Sequence, residues 1–476
     1  MAIFQRHPSK VYCSLKDIYT LNVVRIFKPY FSFLCLFIMV LPAGAGAQNI
    51  QVGTFRVDVS PPLGSPVAYA PAREILDPLT ARGVIIDADG LPIVLCAVDY
   101  LGIANEGLTA WRAALAEAAK TTIDRVTVHA LHQHDGMRCD FTTEKIMAEY
   151  GLGGTRYDVP TLRRSIKKTA KAVRRACKNL STVTHVGFGK AKVERVASNR
   201  RILGDDGKVE IIRWSRSKDP AAIAAPEGLI DPWLKSVSFW HQEEPLAVLT
   251  YYTTHPQSYY GQGDVTSEFI GLARQGREDD LGVPHIHFNG ASGNIVAGKY
   301  NDGSKVNRPV LAGRVEKGMR LAFEQTEKTP AAELTVDWRT EQVSLPIGDH
   351  LIEKELKAML AYEGLSRIKK LTAAKHLAWL QQTQSGSVID VSSLRIGKVC
   401  MLHLPGELFV EYQLAAQAYR SDLEICTAAY GEYGPGYIGT EVAYDQGGYE
   451  TSERASRVSP QVESVLMEAI KKILKP

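Results

Sequence analysis

Residues 91–100, LPIVLCAVDY, and residues 125–131, RVTVHAL, decide how this chain folds. Both are apolar runs rich in β-branched residues, the composition of buried strands. Between them, residues 106–120 place Leu108, Trp111 and Leu115 at helical spacing. Upstream, GVIID (83–87) and an Ala88-Asp89-Gly90 turn form a hairpin with the first run. The second run ends in His132-Gln133-His134. Strand, helix, strand with polar residues at the second strand's C-terminal end is where α/β sheets place ligands.

The same alternation continues outward. AVLTYYTTHP (247–256), VPHIHFNGASGN (283–294) and KVCMLHLPGE (398–407) read as strands that run into turns. Residues 160–178, 308–326 and 353–382 read as helices, the last interrupted near Gly364. The Gly- and Tyr-rich stretch 431–452 is too irregular for a helix and reads as an ordered loop, and Ser459-Pro460 caps a final helix. The expectation is an α/β fold with a mixed β-sheet core flanked by helices, in a single large catalytic domain.

The first 47 residues read differently. Arg6, Lys10, Lys16, Arg25 and Lys28 face one acid, Asp17; a 12-residue apolar run, Tyr30–Leu41, and Ala45-Gly46-Ala47 follow. Basic, apolar and small residues in that order are a secretory signal peptide, with cleavage expected after Ala47. A membrane-spanning helix needs roughly 20 apolar residues. Residues 48–476 are then the mature protein, secreted or periplasmic. Five of 56 basic and one of 52 acidic side chains lie in the leader, so the remainder balances at 51 of each sign. That balance gives no argument for a nucleic-acid partner. The outer face of helix 160–178, with Arg163, Arg164, Lys167, Lys168, Lys171, Arg174 and Arg175, reads as a solvated surface. Its alternative reading, a landing patch for anionic lipid or glycan, allows peripheral membrane contact at most. The five remaining cysteines are scattered and never in a C-x-x-C pair, which disfavours a disulfide scaffold and a thiolate zinc site.

Candidate chemistry sits at the strand ends. His132 and His134 alternate, so on a continuing strand both would face one side, and one or both could bind a metal. His129 lies on the opposite phase and reads as structural. His255 closes the run 247–256, and Glu407 closes Leu404-Pro405-Gly406-Glu407. Two histidines and a carboxylate form the donor set of a catalytic zinc site that keeps one position open. Zinc there would generate a nucleophile from water and polarise a carbonyl, which suits amide or ester hydrolysis.

In this order the motifs resemble the neutral ceramidases, zinc amidases that hydrolyse the N-acyl bond of the sphingolipid ceramide. The likeness runs from FRVDVSPP (55–62) through CAVDYLG (96–102) and LHQHDG (131–136) to Asn199-Arg200, Thr254-His255, Pro405-Gly406-Glu407, Tyr437-Ile438-Gly439-Thr440 and Tyr449-Glu450. It implies zinc ligands at His132, His255 and Glu407, with Tyr437 beside the ion. It also implies catalytic roles for His134, Arg200 and Tyr449, and a small amphiphilic N-acyl substrate.

Several positions depart from that family. Val296 stands where an active-site serine is usual, Glu268 replaces an aspartate and Asp135 a serine. The sequence ends soon after the tyrosine loop, so the expectation is a catalytic domain without the family's immunoglobulin-like C-terminal domain. These departures point to a divergent relative. Two alternatives stay open: a zinc esterase or deacylase on another substrate, and a non-catalytic exported protein that binds lipid or glycan.

Overall fold

The computed structural model describes residues 49–88 and 90–476. The leader expected at 1–47 lies outside the described residues. The described residues belong to one compact unit, a mixed α/β fold of three principal sheets with helices against their outer faces. Among the described residues no helix is long and apolar enough to cross a membrane.

The three sheets share one plan: each ends on a parallel pair of strands added to an antiparallel ladder. In the first, Val126–Ala130 runs parallel to Ile93–Val98, which pairs antiparallel with Thr80–Ala88 and, through it, with Ile50–Asp58. In the second, His285–Asn289 runs parallel to Glu244–Tyr252, followed by Trp233–His241 and His185–Lys192. In the third, Glu424–Ala428 runs parallel to Val399–His403, followed by Ile389–Ile396 and Val336–Val343. The first two parallel pairs are bridged by the helices the sequence predicted or by their counterparts: Glu106–Ala119 and Glu268–Leu281.

Alternation along the strands explains why the sheets stack. Leu95 and Ala97 face inward, against Val237, Phe239 and Leu249 of the second sheet and Leu394 and Met401 of the third. Val94, Cys96 and Val98 point outward, onto Trp111, Leu115, Leu162 and Ile166 of the covering helices. Both faces are buried, so the run reads as continuously apolar. Each such side chain contributes about 1.5–3 kcal/mol by leaving water. Cys96 behaves as the small hydrophobe expected, and the five described cysteines are all free.

Backbone bonds then tie the C-terminal ends of the parallel pairs together. Ala130 N donates to Tyr430 O at 3.0 Å, joining the first and third sheets, and Ala429 N donates to Asn289 O at 2.9 Å, joining the third and second. Those ends are the rim on which the candidate residues sit.

Three local readings change. The tyrosine loop contains a short helix, Glu441–Gln446. The last helix, Val462–Ile473, is not capped by the Ser459 hydroxyl, which donates to Gln461 Oε1 at 2.6 Å. The strand before the histidine cluster stops at Ala130, and His132 takes a left-handed backbone conformation with φ 71°. His132 and His134 therefore do not share a strand face by simple alternation. Their rings meet, centroids 5.1 Å apart, because the chain turns sharply between them.

Candidate metal centre

His132, His255 and Glu407 converge from the ends of three different sheets, and their donor atoms all lie within 4.8 Å of one another. His132 follows Val126–Ala130, His255 follows Glu244–Tyr252, and Glu407 follows Val399–His403. Glu407 Oε2 is 3.2 Å from Nε2 of both histidines. The three residues are 1%, 0% and 2% exposed.

The other ring nitrogens fix what these atoms present. His132 Nδ1 donates to Leu101 O at 2.7 Å and His255 Nδ1 to Ile295 O at 3.0 Å. With the proton on Nδ1, each Nε2 turns a lone pair toward the carboxylate. Three buried acceptors facing one another repel unless a cation lies between them. Donors about 2.0–2.1 Å from a tetrahedral ion sit about 3.3 Å apart, so the spacing suits zinc. Backbone carbonyls on the far nitrogens are the usual outer support of metal-binding histidines.

The other sequence candidates gather around this centre. Tyr437 OH lies 3.4 Å from His255 Nε2. His134 Nε2 lies 3.4 Å from His132 Nε2, and its Nδ1 is bonded to Tyr69 OH at 2.6 Å. Burial holds the His134 imidazole well below the usual histidine value. Arg200 pairs with Glu450 at 2.8 Å and donates to Tyr437 OH at 3.2 Å. The Tyr449 ring stands against Tyr437, centroids 5.6 Å apart, with the Arg200 guanidinium 5.4 Å from its own centroid.

A cavity of about 250 Å³ opens beside the centre, lined by His132, His134, Glu407, Tyr437 and Tyr449 but not by Arg200. Arg200 is buried behind the two tyrosines. Val296 is also buried and off the cavity, in a two-residue ladder with Ser198 and Asn199. Glu268 is a structural acid, paired with Arg308 at 3.0 Å. Asp135 accepts from Gly261 N at 2.8 Å, pinning a loop whose Tyr260 packs on His134. His129 bonds Ala429 O at 2.7 Å in the interior, as its strand phase implied.

Sequence reasoning missed Tyr430 and Tyr433. The Tyr430 ring stacks on His132 with centroids 4.5 Å apart, and its own φ is 62°. Non-glycine residues seldom hold such angles, and they cluster where a site is over-determined by its surroundings. Tyr433 donates to Glu407 Oε1 at 2.5 Å. Both lie at the edge of the tyrosine-rich loop, whose composition was the available signal. Tyr69 offered none.

Fold and site thus define an α/β domain of three sheets, with a buried two-histidine, one-carboxylate cluster at the convergent strand ends. No family model matches the sequence, and no curated protein matches it. Solved structures do match. The neutral ceramidase from Pseudomonas aeruginosa superposes with a TM-score of 0.66 at 17% identity, over 90% of this chain and 74% of that one. A ceramidase complexed with C2 gives 0.65 at 16% identity, over 90% and 75%. The fold is therefore the one the sequence motifs resembled.

Proposed function

We propose that this chain is an exported zinc-dependent amide hydrolase that cleaves an N-acyl bond. The observation that carries the reading is the pair of 3.2 Å separations between Glu407 Oε2 and the two histidine Nε2 atoms, both turned lone pair inward. The likeness of the fold to ceramidases supports the choice of an amide over an ester.

His132, His255 and Glu407 would hold the zinc, and Tyr437 lies against His255. A bound zinc supplies a nucleophile from water near neutral pH and polarises the scissile carbonyl. His134 handles the proton. With Tyr69 OH on its Nδ1, its ring can present Nε2 as an acceptor or, in the other tautomer, as a donor to the developing oxyanion. Tyr449, on the cavity wall, is the second oxyanion donor. Arg200 acts through Tyr437, whose hydroxyl it holds, and is a positioning residue.

The test is metal content and turnover together. Residues 48–476, purified from zinc-replete medium, should carry close to one zinc per chain and hydrolyse an N-acyl amide. Chelator should abolish turnover, and added zinc should restore it. Folded, metal-free protein from that preparation overturns the reading. Export is checked by the N-terminal sequence of the protein recovered outside the cytoplasm, expected to begin at Gln48.

A further inference from the structure

The wall of the cavity facing the metal centre is cationic. Arg138, Arg156, Lys375, Arg454 and Arg457 line it, and Glu407 is the one carboxylate among the lining residues. Among the described residues none of these five cations forms an ion pair within 4.0 Å. Arg457 is only 6% exposed; it donates through Nη1 to Gly434 O at 2.7 Å, while its Nε finds no protein acceptor. Arg138 donates through Nη1 to Ala68 O at 2.6 Å, and its Nε is likewise without one. Asp140 lines a small adjoining pocket with Arg138, Lys375 and Arg457, but its carboxylate is hydrogen-bonded to Thr143 and Asn105 and to none of the three cations.

Burying several like charges without a counter-ion is costly. Burial first, then Arg138 and Arg457, press the Lys375 ammonium well below the ordinary lysine value. An anion in the cavity relieves that repulsion and satisfies the idle guanidinium donors, which suit a carboxylate's two oxygens. Beside the cations the lining is apolar: Leu101 and Leu371 are buried, and Ile368 is 59% exposed. The space of about 250 Å³ is just below the usual range of about 300–1,000 Å³ for ligand pockets, so part of an acyl chain extends past the exposed Ile368.

We propose that Arg138, Lys375 and Arg457 recognise a carboxylate, and that the substrate is an N-acyl amino acid and not a neutral sphingoid amide. This rests on the amide-hydrolase reading above. The acyl chain lies along Leu371 and Ile368, with the carboxylate of the amine half on the cationic wall. Water adds to the acyl carbon and the C–N bond breaks. The products are a fatty acid and a free amino acid, whose nitrogen takes up the proton.

N-lauroylglycine and N-lauroylethanolamine share an acyl chain and differ in head-group charge. The zinc-loaded enzyme should hydrolyse the glycine conjugate with kcat/KM at least ~10-fold higher, a difference of about 1.4 kcal/mol. Lys375→Met should raise KM for N-lauroylglycine more than for N-lauroylethanolamine and so reduce the preference, and Lys375→Arg should recover it. Arg138→Gln, at a half-buried member of the same trio, repeats the test if Lys375→Met fails to fold. Equal or better turnover of the neutral amide overturns the proposal. If neither amide turns over, the hydrolase reading fails by itself. Calorimetric binding then decides the carboxylate site: tighter binding of N-lauroylglycine upholds it, and equal binding overturns it.

Discussion

Tyr433 and Glu407 share a hydrogen bond of 2.5 Å, from the phenol to Oε1, while Oε2 of the same carboxylate faces both histidines. The carboxylate is thereby split between a fixed donor and a ligand position. Burial, then the charge on Glu407, holds the Tyr433 phenol well above its ordinary pKa, so it keeps its proton and locks the Glu407 rotamer.

Tyr433→Phe removes that donor and keeps the ring that packs 5.5 Å from His132. Zinc affinity should fall roughly 10–100-fold, as it does when outer-shell partners are lost. Competition with a calibrated chelator measures it. Unchanged affinity in a folded variant would show that the phenol is packing and not support.

His132→Ala and His255→Ala each remove one donor and leave Glu407 buried with a single imidazole. Each variant should lose zinc and turnover together. Wild-type protein stripped by chelator should melt lower and regain its Tm on adding zinc, since an ion bound only by the folded state stabilises it by mass action. Thermal unfolding with and without zinc reads this directly. A zinc-dependent Tm that survives in His255→Ala would move the ion to another set of ligands.

Arg200 tests the division between contact and positioning. Arg200→Met leaves Glu450 unpaired on one side, while Arg201 still holds it at 3.1 Å. Zinc content should stay near wild type, with kcat falling roughly 10²-fold, the scale of a misplaced group beside the reacting centre. Kinetics and metal analysis on the same sample check it. Metal lost in parallel with kcat would place Arg200 in the ion's support.

The strands carrying the site were legible because they are buried on both faces, so Ile93–Val98, Val126–Ala130 and Val399–His403 stand out as apolar runs. Val336–Val343 did not, because a partly exposed edge strand with Asp337, Arg339 and Glu341 carries little hydrophobic signal. His132, His255 and Glu407 could be nominated from strand ends, and the order of motifs added Arg200, Tyr437 and Tyr449. What no local pattern contains is how three sheets meet. The contact of Tyr69 with His134, 65 positions away, and the assembly of Arg138, Lys375 and Arg457 around one cavity join residues distant in the chain. The left-handed turn at His132 is likewise set by tertiary contacts.

Asp99 ends the first parallel strand and belongs to a motif that the sequence resemblance shares with ceramidases, yet it does not face the cavity. Its carboxylate takes two bonds of 2.8 Å from Arg274, and both residues are fully buried. Asp99→Asn leaves Arg274 as an uncompensated buried charge, expected to cost about 3–5 kcal/mol. Burial opposes ionisation, but Arg274 holds the Asp99 pKa below its ordinary value. Its stabilisation is therefore present above the unfolded pKa and lost as pH falls through the folded one. Urea unfolding across the acid range should show that loss in wild type and not in Asp99→Asn.

Glu432 has the opposite sign. Its Oε1 accepts from Asn105 N at 3.0 Å and from Gly434 N at 2.7 Å, and its carbonyl accepts from Gly406 N at 2.8 Å, next to Glu407. Burial, only partly offset by those donors, pushes its carboxyl up to about 7. Between the unfolded value near 4.3 and that folded value, the folded state binds the extra proton, so stability must fall as pH rises. The loss is at most about 4 kcal/mol, reached above the folded pKa. Glu432→Gln keeps an oxygen for both N–H donors and removes the titration. Unfolding free energies at pH 5 and pH 8 should therefore differ more in wild type than in Glu432→Gln, with wild type gaining on the acid side. Equal differences in the two proteins would mean that Glu432 is already ionised in the folded state at pH 5.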